Sequence, residues 1–467
     1  MIFKFAFRSV VLFALLFLPL NLHAITHSVA VMPFENTAKD SSLDWLSMGI
    51  PETITNDLFA IKGLVLVERL QLRKVMDEQK LQFTGAIDDK TVVQVGKLIG
   101  ASVLVVGAFQ KQDDIVRLTA RFVDVKTGGI LQTAKVTGQM KEIFELQDQI
   151  VKDLAKNLNI ELKQEELAKL NIKPTQSLEA YKHFGQGALL QAKKDYQGAV
   201  KELKKATTLD PKFAAANAKF KDAFWSLNKE NYWTYETLHE TKGKLDKNEP
   251  MTSQSKSLST RRAGGMEDFN GTPAFFYDTE MDMELTQNFN KTDRKSKSRA
   301  VTSMYHSKGN DGIYVLGTKM EIKTELYRGK GDPVVMTSTS TSTSTMIFDP
   351  PILAFPYDLK VGKKWAMNST IKAVAMNIPM LSENEVVGKE MLTVPAGIFE
   401  CFVVENKAIS ESEVKGVGKL ISEILTTSWF APGVGTIKTR TVAESKSQTY
   451  ESSLITEMVL KEYHIQQ

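Results

Sequence analysis

The sequence predicts a multidomain α+β protein. A three-layer-like α/β domain covers 28–162, a helical linker segment 175–227, and an antiparallel β domain, half-barrel or sandwich, 278–463. Three observations lead there. From Ser28 to Leu158, short β-branched runs alternate with stretches whose apolar residues recur at helical spacing. Between 175 and 227, small residues fall where two helices can approach closely. From about Met281, short alternating runs are separated by turns such as Gly309-Asn310-Asp311-Gly312, Pro395-Ala396-Gly397 and Pro432-Gly433-Val434-Gly435.

The first 24 residues read as a secretory signal peptide. Lys4 and Arg8 supply positive charge, Val10 to Leu20 is an apolar core interrupted by Pro19, and Leu22-His23-Ala24 offers a cleavage site. The apolar run is short for a membrane span, and an uncleaved anchor is the alternative reading. No cysteine follows the core, so the cleavage pattern of a lipid-anchored protein is not expected. Cys401, the only cysteine, excludes an intramolecular disulfide and reads as a small buried hydrophobe in the run Phe399 to Val404. Charge is nearly balanced, 59 Lys+Arg against 55 Asp+Glu, with no basic block interleaved with aromatics, so nucleic acid is not an expected partner.

In the first domain, Ser28 to Phe34 is a strand ended by Pro33. Leu46, Ile50, Ile54 and Leu58 mark a helix that Pro51 is expected to interrupt, leaving a turn over Asp44 to Ile50 and a helix to about Ala60. Gly63 to Val67 is a second strand, and helices follow over Gln71 to Lys80 and after Asp88-Asp89. Val103 to Val106, Val116 to Phe122 and Ile130 to Thr137 then form a meander with turns at Lys111 to Asp114 and Lys126 to Gly129. A helix over Lys141 to Leu158 closes the unit.

VAVMPFEN, the helix near WLSMGI, LVLVER, IGASVLVVGAF and RFVDVKTGGIL, in that order, resemble the CsgG/HfaB family and the TolB-like N-terminal domains of Gram-negative envelope proteins. The resemblance implies a periplasmic, protein-binding scaffold. Its pore-forming members carry two long membrane hairpins in this domain. Here only Gln110 to Asp114 separates Phe109 from Ile115, whereas each membrane strand needs ~9–11 residues. Pore formation is therefore not carried over.

Tyr181, Gly185, Tyr196, Ala199, Leu203, Ala206 and Pro211 follow the spacing of one tetratricopeptide repeat, with a following helix over Lys212 to Leu227. One repeat does not stand alone, so the pair is expected to dock on a neighbour or another chain. Tyr181, Gly185, Tyr196, Ala199 and Pro211 are the candidate protein-interaction residues; a helical spacer is the alternative. Asn228 to Gly271, rich in Lys, Ser and Thr, reads as part of a linker over 228–275, with Trp225, Tyr232, Trp233 and Tyr235 packing the end of the helices.

In the β domain, Thr337 to Thr345 alternates Thr and Ser and reads as a strand polar on both faces, with a linker or glycan-bearing tract as alternatives. FPYDLKVGKKW, VGKEMLTVPAGIFECFVVE and SWFAPGVGTIKTR resemble a domain of uncharacterised exported bacterial proteins. The resemblance implies a β architecture similar to the half-barrel of periplasmic lipoprotein carriers such as LolA.

No chemistry is legible. His27, His183, His239, His306 and His464 are scattered, and HExxH, GxSxG and phosphate-loop motifs are absent. The expectation is an exported protein of the Gram-negative periplasm, not an enzyme, with no cofactor or metal, that binds envelope or secreted proteins as an adaptor or assembly factor. Two alternatives stand beside it: a carrier of lipid or another hydrophobic ligand in the β domain, and a homo-oligomeric outer-membrane secretion component.

Overall fold

The computed structural model describes residues 27–79, 81, 88–226, 228–245, 249–289, 292–328, 335–373, 376–414, 418–447 and 449–465. The signal peptide reading lies outside them. The chain divides into two compact units, 1–173 and 174–467.

The first unit holds strands β1 (His27–Val31), β2 (Glu35–Asn36), β3 (Leu64–Leu66), β4 (Val103–Gln112), β5 (Ile115–Asp124) and β6 (Ile130–Gln139). They form one sheet of order β3-β1-β4-β5-β6, with β2 beside β4. β1 runs parallel to β3 and β4, and the β4-β5-β6 meander is antiparallel. Helices α2 (Arg69–Glu78) and α3 (Asp89–Leu98) cover one face, where Leu72, Met76, Val92 and Val95 pack on Ala30, Met32 and Leu104. Helices α1 (Leu46–Phe59) and α4 (Ile143–Asn157) pack on each other and on β1 and β6. A short helix α5 (Gln164–Leu170) follows. Its Glu166 accepts hydrogen bonds from the backbone N–H of Lys62 at 2.8 Å and of Lys163 at 2.7 Å.

Pro51 does not break α1 as expected. It sits inside the helix, and the Ser47 carbonyl that a residue-51 N–H would have satisfied accepts instead from the N–H of Phe34 at 3.0 Å. A tertiary hydrogen bond replaces the one that proline cannot make. Phe34 is fully buried over Gly107, where a Cβ would lie 2.2 Å from its ring.

The second unit opens with α6 (Leu178–Ala192), α7 (Tyr196–Leu209) and α8 (Ala214–Phe224). Ser177 and Asp195 cap the first two by accepting from Ala180 N–H and Gly198 N–H. Twelve strands follow in one closed antiparallel barrel. They are β7 (Tyr232–Leu245), β8 (Glu249–Phe269), β9 (Thr272–Phe289), β10 (Thr292–Lys308), β11 (Gly312–Arg328) and β12 (Val335–Pro356), then β13 (Lys364–Ala373), β14 (Met376–Val394), β15 (Gly397–Val414), β16 (Gly418–Ala431), β17 (Gly435–Lys446) and β18 (Tyr450–His464).

Two expectations are corrected here. The β domain is a closed barrel rather than a half-barrel or sandwich, and the linker assigned to 228–275 is β7, β8 and the start of β9. β7 and β8 close the ring, pairing with β18 on one side and β9 on the other. They escaped detection because β8 is polar on both faces: Ser255, Ser257 and Ser259 are buried, while Lys256 and Thr260 alternate with them. No alternation of hydrophobicity marks such a strand. The Thr/Ser tract 337–345 lies within β12, in register with β11.

Candidate functional site

The five candidate interaction residues do not form a surface groove. Tyr181 and Ala199 are fully buried, Gly185 and Tyr196 are buried, and only Pro211 is exposed. They hold the helical pair together. Tyr181 lies 6.3 Å from Phe184, which packs on Phe213 at 4.9 Å. The helices approach closely at Gly187, where a Cβ would sit 2.6 Å from Leu203. A partner would meet the surface these residues support.

The pair docks on the barrel of its own unit. Gln197 donates to the Glu400 carbonyl at 2.7 Å and accepts from Glu400 N–H at 3.3 Å, and Lys201 pairs with the Glu400 carboxylate at 2.6 Å. The Tyr196 hydroxyl donates to the Ile465 carbonyl. The Pro432-Gly433 turn fits beneath α7: Gly433 has φ 89°, and a Cβ there would be 2.8 Å from the Tyr196 carbonyl oxygen.

At this end the barrel is closed by aromatic rings, and the cluster that includes Trp225 and Trp233 packs the end of the helices onto them. Trp225 stacks on Phe430 at 5.7 Å and lies 5.7 Å from Phe355; Phe355 and Phe430 stack at 4.0 Å. Tyr277 donates to the Ser226 carbonyl at 2.9 Å, and Trp233 to the Val434 carbonyl at 2.7 Å. Burial holds the His306 imidazole neutral, with its pKa pushed down to about 3, and raises that of Tyr277. The Arg261 guanidinium lies 5.4 Å over the Tyr235 ring. Phe430 joins this floor, while Trp429 faces out under Lys438 at 5.3 Å.

Beyond the floor, several inward side chains are only partly covered by their neighbours. Directly paired residues share a face, so buried serines identify the inside: Ser259 pairs with Met281, Ser257 with Met283, Ser382 with Met367, and Ser369 with Met380. These inward methionines remain partly exposed, whereas Met32, Met48 and Met76 in the first unit are 0% exposed. The inside also carries hydroxyl ladders. Thr426 and Thr441 are 3.1 Å apart, Ser422 and Ser445 2.8 Å, and Asn406 donates to Asn384 at 2.8 Å.

The outer wall is charged. On β9, Asp278, Glu280, Asp282 and Glu284 occupy successive outward positions, about 20 Å of strand. Arg299 meets Glu280 at 3.0 Å and Lys297 meets Glu284 at 2.8 Å. Outward apolar residues are spread among the charged ones: Leu238 pairs with Lys256 and Leu258 with Glu236 and Asp282, while Leu381 pairs with Ile409, Leu425 with Val442 and Val442 with Ile455. Among the described residues of this wall, no continuous apolar band about 25 Å tall is formed. No helix among the described residues is long and apolar enough to cross a membrane.

In the first unit a cleft of about 310 Å³ lies on the sheet, lined by Glu35, Val106, Ala108, Thr119, Arg121 and Lys135 among others. Cys401 is buried, and burial followed by the charges of Glu390 and Glu400 pushes its thiol up to about 12. Among the described residues, no group of three or more His, Cys, Asp or Glu is placed to hold a metal ion.

A curated relative, "Putative adenylate cyclase 3" of Rhizobium meliloti (strain 1021), is 25% identical over 194 residues, 41% of this chain and 31% of that protein. The chain thus spans about a third of that relative. Among solved structures, the LpoB C-terminal domain from Salmonella enterica is 18% identical, covering 25% of this chain and 84% of its own with a TM-score of 0.21. The translocator domain of the autotransporter NalP from Neisseria meningitidis is 10% identical, covering 56% and 98% with a TM-score of 0.30. Two family models match: residues 21–110 are similar to the curli production assembly/transport component CsgG, and residues 276–453 are DUF3108-like.

Proposed function

We propose that this is an exported, envelope-associated, non-catalytic protein that works in the aqueous periplasm as a protein-binding adaptor, CsgG-like in its first domain but without a pore. The charged outer wall of the barrel carries this reading, because carboxylates at four successive outward positions of β9 belong in water. The short β4–β5 turn supports it: only Asp113 and Asp114 separate those strands, so the CsgG-like domain has no membrane hairpin there. Both observations weigh against the oligomeric secretion component. The reading expects the chain in the soluble periplasmic fraction, released by carbonate if peripheral, and a stoichiometric protein partner after cross-linking and capture from envelope fractions. Retention in the outer membrane through carbonate extraction, or capture of no stoichiometric partner, would overturn it.

A second reading, carriage of a hydrophobic ligand, is favoured by the partly exposed inward methionines. It is compatible with the first, since a carrier also has to meet the proteins it serves.

A further inference from the structure

The inside of the barrel mixes methionines with hydroxyls. Met281, Met283, Met320, Met346, Met367 and Met380 face inward from β9 to β14, and all are partly exposed. Inward hydroxyls stand between them, as at Ser369 and Ser382, and continue around β16, β17, β18, β7 and β8, where Ser422 bonds Ser445, Thr426 bonds Thr441, and Thr456 bonds His239 at 2.8 Å. The Ser257 hydroxyl is buried without a hydrogen-bond partner. Among the described residues, Arg261 over Tyr235 and Lys389 beside Glu400 are charged residues at inward positions, and both lie at the floor end.

Eight strands make an interior that side chains can fill, and twelve enclose a wider one. The column Ser253 to Ser259 alone runs about 20 Å along β8. Methionine is flexible and polarizable, suited to closing around an apolar chain of no fixed shape. An ion placed mid-lumen would lose hydration without gaining a counter-charge. The aromatic floor closes the end under the helices.

Resting on the carrier reading, we infer that the lumen holds one uncharged acyl amphiphile lengthwise. Its aliphatic chain lies against the inward methionines, and its neutral hydroxyl or ester groups meet the serine and threonine hydroxyls that stand among them. The chemistry is that of a monoacylglycerol or a fatty alcohol, free or as part of a larger lipid.

The test uses the full chain purified without detergent and titrated with monoolein, oleate and oleylamine, read by native mass spectrometry and by the fluorescence of the inward Trp365. Monoolein is expected to bind one per chain, with oleate and oleylamine at least about tenfold weaker. Met283→Lys should weaken monoolein binding at least tenfold, and the outward neighbour Glu284→Lys should leave it unchanged. Ser257→Leu, which adds no charge, narrows the same level and should also weaken binding if Met283→Lys fails to fold by circular dichroism. Failure of all three amphiphiles to bind would remove the carrier reading itself. Binding that ignores the inward substitutions would overturn the lumen as the site while leaving carriage intact. Oleate or oleylamine binding as tightly as monoolein would overturn the neutral-ligand assignment.

Discussion

Asp57 on α1 is the clearest titrating position in the first unit. Burial, then the charge of Asp148 on α4, raises its pKa to about 7, and one carboxylate oxygen is buried without a hydrogen-bond partner. Asp148 is itself raised to about 6, chiefly by burial. The folded state therefore holds these protons more tightly than the unfolded chain. Their stabilising contribution is full below the unfolded value near 4 and is lost as pH rises towards 7. Asp57→Asn should raise stability at pH 8 by on the order of 1 kcal/mol, discounted for partial exposure, and flatten the rise in Tm between pH 8 and 5. A denaturation series across that range checks both. At Gly107 the constraint is steric: Gly107→Ala drives a Cβ into the Phe34 ring and should cost about 1–3 kcal/mol, read as a lower urea midpoint with unchanged m-value.

At the scale of elements, the helical pair and the barrel depend on one seam. Trp225 follows α8 and stacks inside the barrel end, so the helices and the floor share one aromatic cluster. Trp225→Ala should cost about 3–5 kcal/mol and remove near-ultraviolet dichroism from the cluster. The tetratricopeptide spacing was legible because small residues at fixed intervals have a steric cause, and Ala199 and Ala206 are fully buried between the helices as that cause requires. What that spacing could not reveal is that these residues would be interior. Repeat positions specify how two helices pack on each other, while the residues that reach the barrel, such as Gln197 and Lys201, carry no such signature.

For the whole molecule, two units with separate cores imply two unfolding events. Calorimetry of the full chain should resolve two transitions. Asp57→Asn should move only the one belonging to 1–173, and Trp225→Ala only the one belonging to 174–467. A single transition shifted by both substitutions would show that the units unfold together.

The sequence by itself determined the first unit's element order, the helical pair, the β character of the remainder and the two family resemblances. Each rests on local period and turn chemistry: β-branched runs, helical spacing, and Gly/Pro turns. Tertiary structure alone decided the rest. Pro51 stays helical because Phe34 supplies a bond from another element. β7 and β8 exist as strands because β18 and β9 pair with them, although β8 carries no alternation of hydrophobicity along most of its length. Closure of the barrel depends on pairing between strands more than 200 residues apart in the chain, as when Thr456 meets His239. No window of sequence contains that information, because hydrogen bonding around a ring leaves no mark on the spacing of residues along any one strand.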